Sequence, residues 1–154
     1  MNITLHINQI KEFEKALEVS NQVFEPSPEE LQKYHDKNDW LNKINSGGLM
    51  VGAWDDKKMV GFSICYPKEG KFHIWNVGVL KEYRKLGIWK MMYGEIEKFA
   101  KERRFDQLTL NTYKVKFPGM YRFVLDNGFT EYKTEGEKSF FIKKLLMNTK
   151  MGKG

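Results

Sequence analysis

The segment Val77–Met92, VGVLKEYRKLGIWKMM, constrains this chain most, because it runs from an apolar stretch through a basic turn straight into a helix. A strand that feeds a long helix through so short a connection reads as a crossover back to a neighbouring parallel strand. The turn carries Arg84, Lys85 and Gly87 where a helix start leaves backbone N–H groups without intrahelical partners. Positive charge beside such donors suits a phosphate or another anion. Any fold for this chain has to present that corner.

Apolar spacing sets the other elements. ITLHI alternates as a short strand, and NQIKEFEKALEVSNQVF puts Ile10, Phe13, Leu17 and Phe24 at helical spacing. A second helix is expected after Ser27, with Ser27 as N-cap, Pro28 at the first helical position and Glu30 closing a capping box. The SGG at 46–48 ends it. LMVGAWD, MVGFSICY and FHIWNVGVL then read as an antiparallel meander with turns at DKK and PKEGK. The longest helix is expected over Gly87–Arg104, with Ile88, Met92, Ile96 and Phe99 as its buried stripe. Glu97–Lys101 and Lys98–Glu102 fall on its wet side. QLTLNT is a strand, FPGMYRFVLDN a short helix stopped at Asn127-Gly128, and FTEYK with SFFIKKL a closing hairpin.

The order β-α-α-β-β-β-α-β-α-β-β predicts an α/β (α+β) fold: a mixed, mostly antiparallel central sheet with helices on both faces. The length of 154 residues suits a single domain over 1–146, with 147–154 as a frayed tail.

Charge narrows the partners. Lys and Arg exceed Asp and Glu by six, which serves solubility or an anionic ligand. Only KERR and KK form small clusters, so no nucleic acid is expected as a partner. No apolar run reaches membrane-spanning length and the N-terminus lacks a signal-peptide block, so no membrane association is expected. The lone Cys65 allows no internal disulfide, and His6, His35 and His73 lack metal-ligand spacing. A cytoplasmic, metal-free protein, monomer or homodimer, is the expectation. No Gly-Lys-Ser/Thr loop and no GxGxxG turn occurs, so P-loop and dinucleotide folds are excluded.

The element order, with strand four joined to the longest helix by VLKEYRKLGI, resembles the GNAT superfamily of N-acetyltransferases from about Leu49 to Leu145. Its signature, Arg/Gln-x-x-Gly-x-Gly/Ala, stands here as Arg84-Lys85-Leu86-Gly87-Ile88-Trp89, with Trp89 replacing the second small residue. The resemblance implies an enzyme that moves an acetyl group from acetyl-CoA to a primary amine by direct attack. These six residues would hold the pyrophosphate, with Gly87 letting the backbone come close. Val77, Gly78 and Val79 match the region that lines the pantetheine slot, and Gly78 in a β-branched run reads as a bulge or a close backbone approach. The Val79 N–H would then polarise the thioester carbonyl.

Many members also carry an Asn eleven residues, and a Tyr four residues, before the glycine of the GF pair. Here those positions are Phe117 and Val124, so the usual acid tyrosine is missing, and Tyr121 or Tyr113 would stand in. A glutamate used as base in some members is replaced by His73, either a base with a pKa near 6.5 or an ordinary strand residue paired across the sheet. Tyr34, His35 and Trp40 read as core packing or as an acceptor-facing wall. The alternative is a catalytically weak or inactive CoA-binding module acting as a sensor or interaction domain. A small nucleic-acid-binding domain is a more distant third.

Overall fold

The computed structural model describes residues 1–25 and 37–146; the expected cap at Ser27, along with Tyr34 and His35, lies outside them. The described residues form β1 (Ile3–Ile7), α1 (Phe13–Phe24, entered through a 3-10 turn at Ile10–Glu12), α2 (Lys37–Asn45), β2 (Leu49–Asp55), β3 (Lys58–Lys68) and β4 (Lys71–Val79). A 3-10 turn at Lys81–Tyr83 leads into α3 (Ile88–Glu102), followed by β5 (Gln107–Tyr113), α4 (Pro118–Asp126), β6 (Thr130–Glu135) and β7 (Lys138–Lys144). The hydrogen-bonded order is β1-β2-β3-β4-β5-β7-β6. The sheet is mostly antiparallel, with β4 and β5 parallel across the α3 crossover, as the element order required.

The described residues condense into two compact units, those within 1–67 with 75–96, and those of 68–74 with 97–146; β4 and α3 contribute to both. In the first unit, successive residues of β3 point to opposite faces. A Cβ on Gly61 would lie 3.4 Å from Ile88 and Met92 of α3. Phe62 stacks instead on Trp40 of α2, with ring centroids 6.2 Å apart. The unit therefore has helices on both faces of its strands. Trp40, wholly buried, also meets Phe13 of α1 edge to face at 5.9 Å. Aromatic groups of this kind carry about 150–250 Å² of burial each, and α1 and α2 are fixed largely by them.

In the second unit the parallel ladder runs from Phe72↔Leu108 to Ile74↔Leu110, and β7 pairs antiparallel with β5 and β6. Phe72, Leu108, Leu110 and Phe141 share one face. Phe99 of α3 and Phe105 pack on Phe72 at 5.4 and 5.1 Å, and Tyr121 of α4 meets Phe141 at 5.5 Å. Phe99 is half-buried where full burial was expected; Ala100 is the wholly buried residue at that level of the helix. Glu97, expected on a wet face, sits between Lys143 at 2.7 Å and Lys101 at 3.5 Å. At the end of α4, Gly128 adopts φ +88, which lets the Phe129 N–H reach the Val124 carbonyl at 3.0 Å. Among the described residues, no helix is long and apolar enough to cross a membrane.

Candidate functional site

The basic corner is built by four hydrogen bonds and two left-handed residues. The Leu80 N–H bonds the Val60 carbonyl at 2.9 Å, so the chain leaves β4 in register with β3. The 3-10 turn follows, and the Tyr83 hydroxyl donates to Asp55 Oδ2 at 2.9 Å. That carboxylate holds the phenol proton and pushes the Tyr83 pKa above its usual value. Arg84 Nε donates to the Val79 carbonyl at 3.0 Å, folding the side chain back along the strand end. Lys85 and Gly87 then adopt φ +65 and +83. The Met91 N–H bonds the Gly87 carbonyl at 3.0 Å, which makes Gly87 the N-cap of α3.

The first-turn N–H groups of α3 thus open beside exposed Arg84 and Lys85. A Cβ at Gly87 would meet no atom within 4 Å, so the glycine is required there by its left-handed backbone, and the space above it is open. Ile88 is buried and pins the helix start to the core. Trp89, half-buried, lays its ring against Tyr93 one turn on, at 5.7 Å.

Behind the corner, the end of β4 departs from regular alternation. Trp75 meets Trp40 edge to face at 5.3 Å, on the α1–α2 side. Three residues later Gly78 faces that side too, since a Cβ there would lie 2.8 Å from the Phe62 ring and 3.2 Å from Val23 of α1. Residues three apart in a regular strand face opposite ways, so the strand is irregular between Trp75 and Gly78. A break in the pleat and a close approach, read from the sequence as alternatives at Gly78, occur together here.

The expected proton-transfer residues lie in the second unit. His73 is 4% exposed and its Nδ1 is 2.7 Å from Thr109 Oγ1, its partner across the parallel ladder. This is the cross-strand pairing that the sequence left open. The Tyr121 hydroxyl donates to Glu131 Oε1 at 3.0 Å, and that bond raises the phenol pKa. Thr134 also donates to the same carboxylate, at 2.8 Å, and helps hold the Glu131 pKa low. Val124, where a tyrosine is common, is fully buried on α4. Burial pushes the Cys65 thiol up and removes it as a nucleophile. Trp40 belongs to the core.

Sequence reasoning passed over two arrangements. One is the Tyr83–Asp55 bond. The other is Lys43, whose ammonium sits over the rings of Trp75 at 4.6 Å and Tyr66 at 5.0 Å while pairing with Asp39 at 2.7 Å. The four-residue spacing of Asp39 and Lys43 is a local helix signal, but the rings under Lys43 and the Asp55 partner of Tyr83 come from distant segments.

A family model described as Acetyltransferase (GNAT) family matches residues 11–129. Among solved structures, the PaiA N-acetyltransferase of Thermoplasma acidophilum, determined in complex with coenzyme A, superposes with a TM-score of 0.82 at 23% identity, over 94% of this chain and 99% of that one. A GNAT-family acetyltransferase from Staphylococcus aureus Mu50 gives 0.77 at 23% identity, covering 94% and 100%. The ribosomal-protein-S18-alanine N-acetyltransferase of Escherichia coli gives 0.74 at 13%, covering 95% and 96%. At these identities the likeness is one of fold. No curated protein sequence matches.

Proposed function

The chain belongs to the GNAT acetyltransferase family, and on that premise we propose that it transfers an acetyl group from acetyl-CoA to a primary amine within one domain over residues 1–146. The observation that carries the reading is the corner. An open left-handed glycine caps α3 beside two cations, at the end of a strand whose pleat breaks just before it. Arg84, Lys85 and the backbone N–H groups from Leu86 to Trp89, leading into the first turn of α3, would hold the pyrophosphate. Val77–Val79 would lie along the pantetheine arm, and the Val79 N–H would donate to the carbonyl oxygen as negative charge develops on it.

The donor supplies an activated thioester. Nitrogen attack forms the C–N bond as the C–S bond breaks, and the amine loses its proton. A thiol with a pKa of about 8.5 leaves as thiolate with little help. The Tyr121 hydroxyl, whose proton Glu131 retains, is the nearest equivalent of the missing acid and would be a weak one. His73 is buried, bonded to Thr109, and six residues before Val79 along β4. With that ring engaged by Thr109, the reading leaves deprotonation to solvent unless His73 proves to be the base.

A second reading, a CoA-binding module without catalysis, is favoured by one observation: Phe117 and buried Val124 occupy the positions where many members carry Asn and Tyr. Free-thiol release, followed over a panel of amines with acetyl-CoA, separates the two. The enzyme releases thiol with at least one amine class. The module binds CoA and releases none.

A further inference from the structure

The second unit carries a cleft of about 380 Å³ on the sheet face opposite Phe72 and Phe141. That volume is within the range of small-molecule sites, about 300–1,000 Å³. None of its lining residues belongs to the basic corner. Its floor includes His73 and Thr109, 4% and 8% exposed, and the 2.7 Å bond between them fixes the imidazole plane. The neighbouring pairs of the same ladder, Phe72↔Leu108 and Ile74↔Leu110, are wholly apolar and face the other way. The buried polar pair is therefore particular to the cleft side.

Lys68, Lys71 and Lys133 line the cleft, against one carboxylate, Glu69. Among the described residues, no ion pair involves Lys68 or Lys71. Lys133 pairs with Glu135 at 2.8 Å, with both side chains more than half exposed, and lies over the Phe140 ring at 5.2 Å. An exposed pair of that kind is weak and yields readily to a better-placed anion. Three ammonium groups around one small cavity repel one another, and a bound anion relieves the repulsion. Phe140 adds an aromatic wall beside them.

We infer that this cleft binds a small organic anion, a carboxylate or phosphate head held by the lysines on a flat apolar body that lies along Phe140. The inference does not depend on acyl transfer, and its test uses no acetyl-CoA. Side-chain imidazole NMR of the full chain, with the His73 signal assigned through His73→Gln, is followed during titration with phenyl phosphate, benzoate, inorganic phosphate and benzylamine. A saturable His73 response to phenyl phosphate or benzoate is expected, whichever head binds tighter, with none to benzylamine. Inorganic phosphate should bind more weakly than phenyl phosphate. Lys71→Glu and Lys133→Glu should each weaken the response by about tenfold or more, and Arg84→Glu should leave it unchanged. If a Glu variant does not fold, Lys71→Met and Lys133→Met replace it, with the same direction of effect. No saturable response to either organic anion, an equal response to benzylamine, or loss with Arg84→Glu alone would each overturn the assignment.

Discussion

The Tyr83 hydroxyl donates to Asp55 Oδ2 across 2.9 Å, fastening the turn before the basic corner to the hairpin between β2 and β3. The corner is otherwise exposed from Arg84 to Gly87, so its geometry rests on what holds its two ends. Ile88 anchors the far end and Tyr83 the near one.

Tyr83→Phe removes the anchor and little volume. We expect the KM for acetyl-CoA to rise about two- to tenfold with kcat little changed, as loss of one hydrogen bond to a carboxylate implies. The bond also has a pH signature. The folded pKa of Tyr83 is raised, so the protonated phenol is favoured in the folded state. Its contribution to stability is complete below the ordinary tyrosine value of about 10 and is lost as pH rises through the raised one. Urea denaturation at a series of alkaline pH values should show a steeper loss in the native protein than in the variant. Equal slopes would remove Tyr83 from this role.

Gly87→Asp tests the phosphate seat. Acetyl-CoA at a hundred times its Kd should stabilise the native protein by about 2.7 kcal/mol, which for this length is roughly 5–11 °C in Tm. A carboxylate at position 87 repels the pyrophosphate, and φ +83 strains any side chain placed there. The variant should therefore melt somewhat lower and show no shift with acetyl-CoA. A full shift would put the donor elsewhere.

Gly78→Ala addresses the broken pleat. The added Cβ would stand 2.8 Å from the Phe62 ring and 3.2 Å from Val23, closer than packed carbons tolerate. Phe62 is itself wedged against Trp40, so it cannot simply turn aside. A loss of about 1–3 kcal/mol is expected in denaturant titration. Unchanged stability would mean that the α1 side relaxes freely, and with it the end of β4.

His73→Gln separates structure from chemistry. Cross-strand pairing with Thr109 predicts lower stability and a pH profile of kcat/KM with its shape intact. A fall of about a hundredfold, with an inflection near pH 6.5–7 removed, would make His73 the base.

The meander and the α3 crossover were legible because their signals are local. Alternating residues with turn residues between them mark β2 to β4, and the Ile88, Met92, Ile96 spacing marks α3. Gly87 was legible for the same reason, since a helix start needs its cap within a few residues. The partners of Gly78 were not, because Phe62 and Val23 come from distant segments and meet it only once the layers pack. The same holds for Asp55 with Tyr83, and for the lysines brought to one cleft from the end of β3, the start of β4 and β6. Phe99 shows the limit of periodicity. It keeps the stripe's spacing but stays half-buried, packed on Phe72 on one side and lying under the Arg103 guanidinium at 4.5 Å.

Trp89 takes the signature position where a second small residue is usual, and its ring decides whether the donor seat is open. A helix side chain leans toward the N-terminus, so Tyr93 reaches back over the turn that carries Trp89. The two rings meet at 5.7 Å with planes 62° apart. Tyr93 is 6% exposed, so this contact ties the indole to the flank of α3. Packed there, the ring would border the donor groove without filling the space above Gly87, where no atom lies within 4 Å of a Cβ. Trp89→Gly should then weaken CoA binding by around 1 kcal/mol, about fivefold in Kd, through lost contact area and a looser helix start. Calorimetric titration of both proteins with CoA measures it directly. Tenfold tighter binding by the glycine variant would show that the indole obstructs the seat, and would favour the module that binds CoA without turning it over.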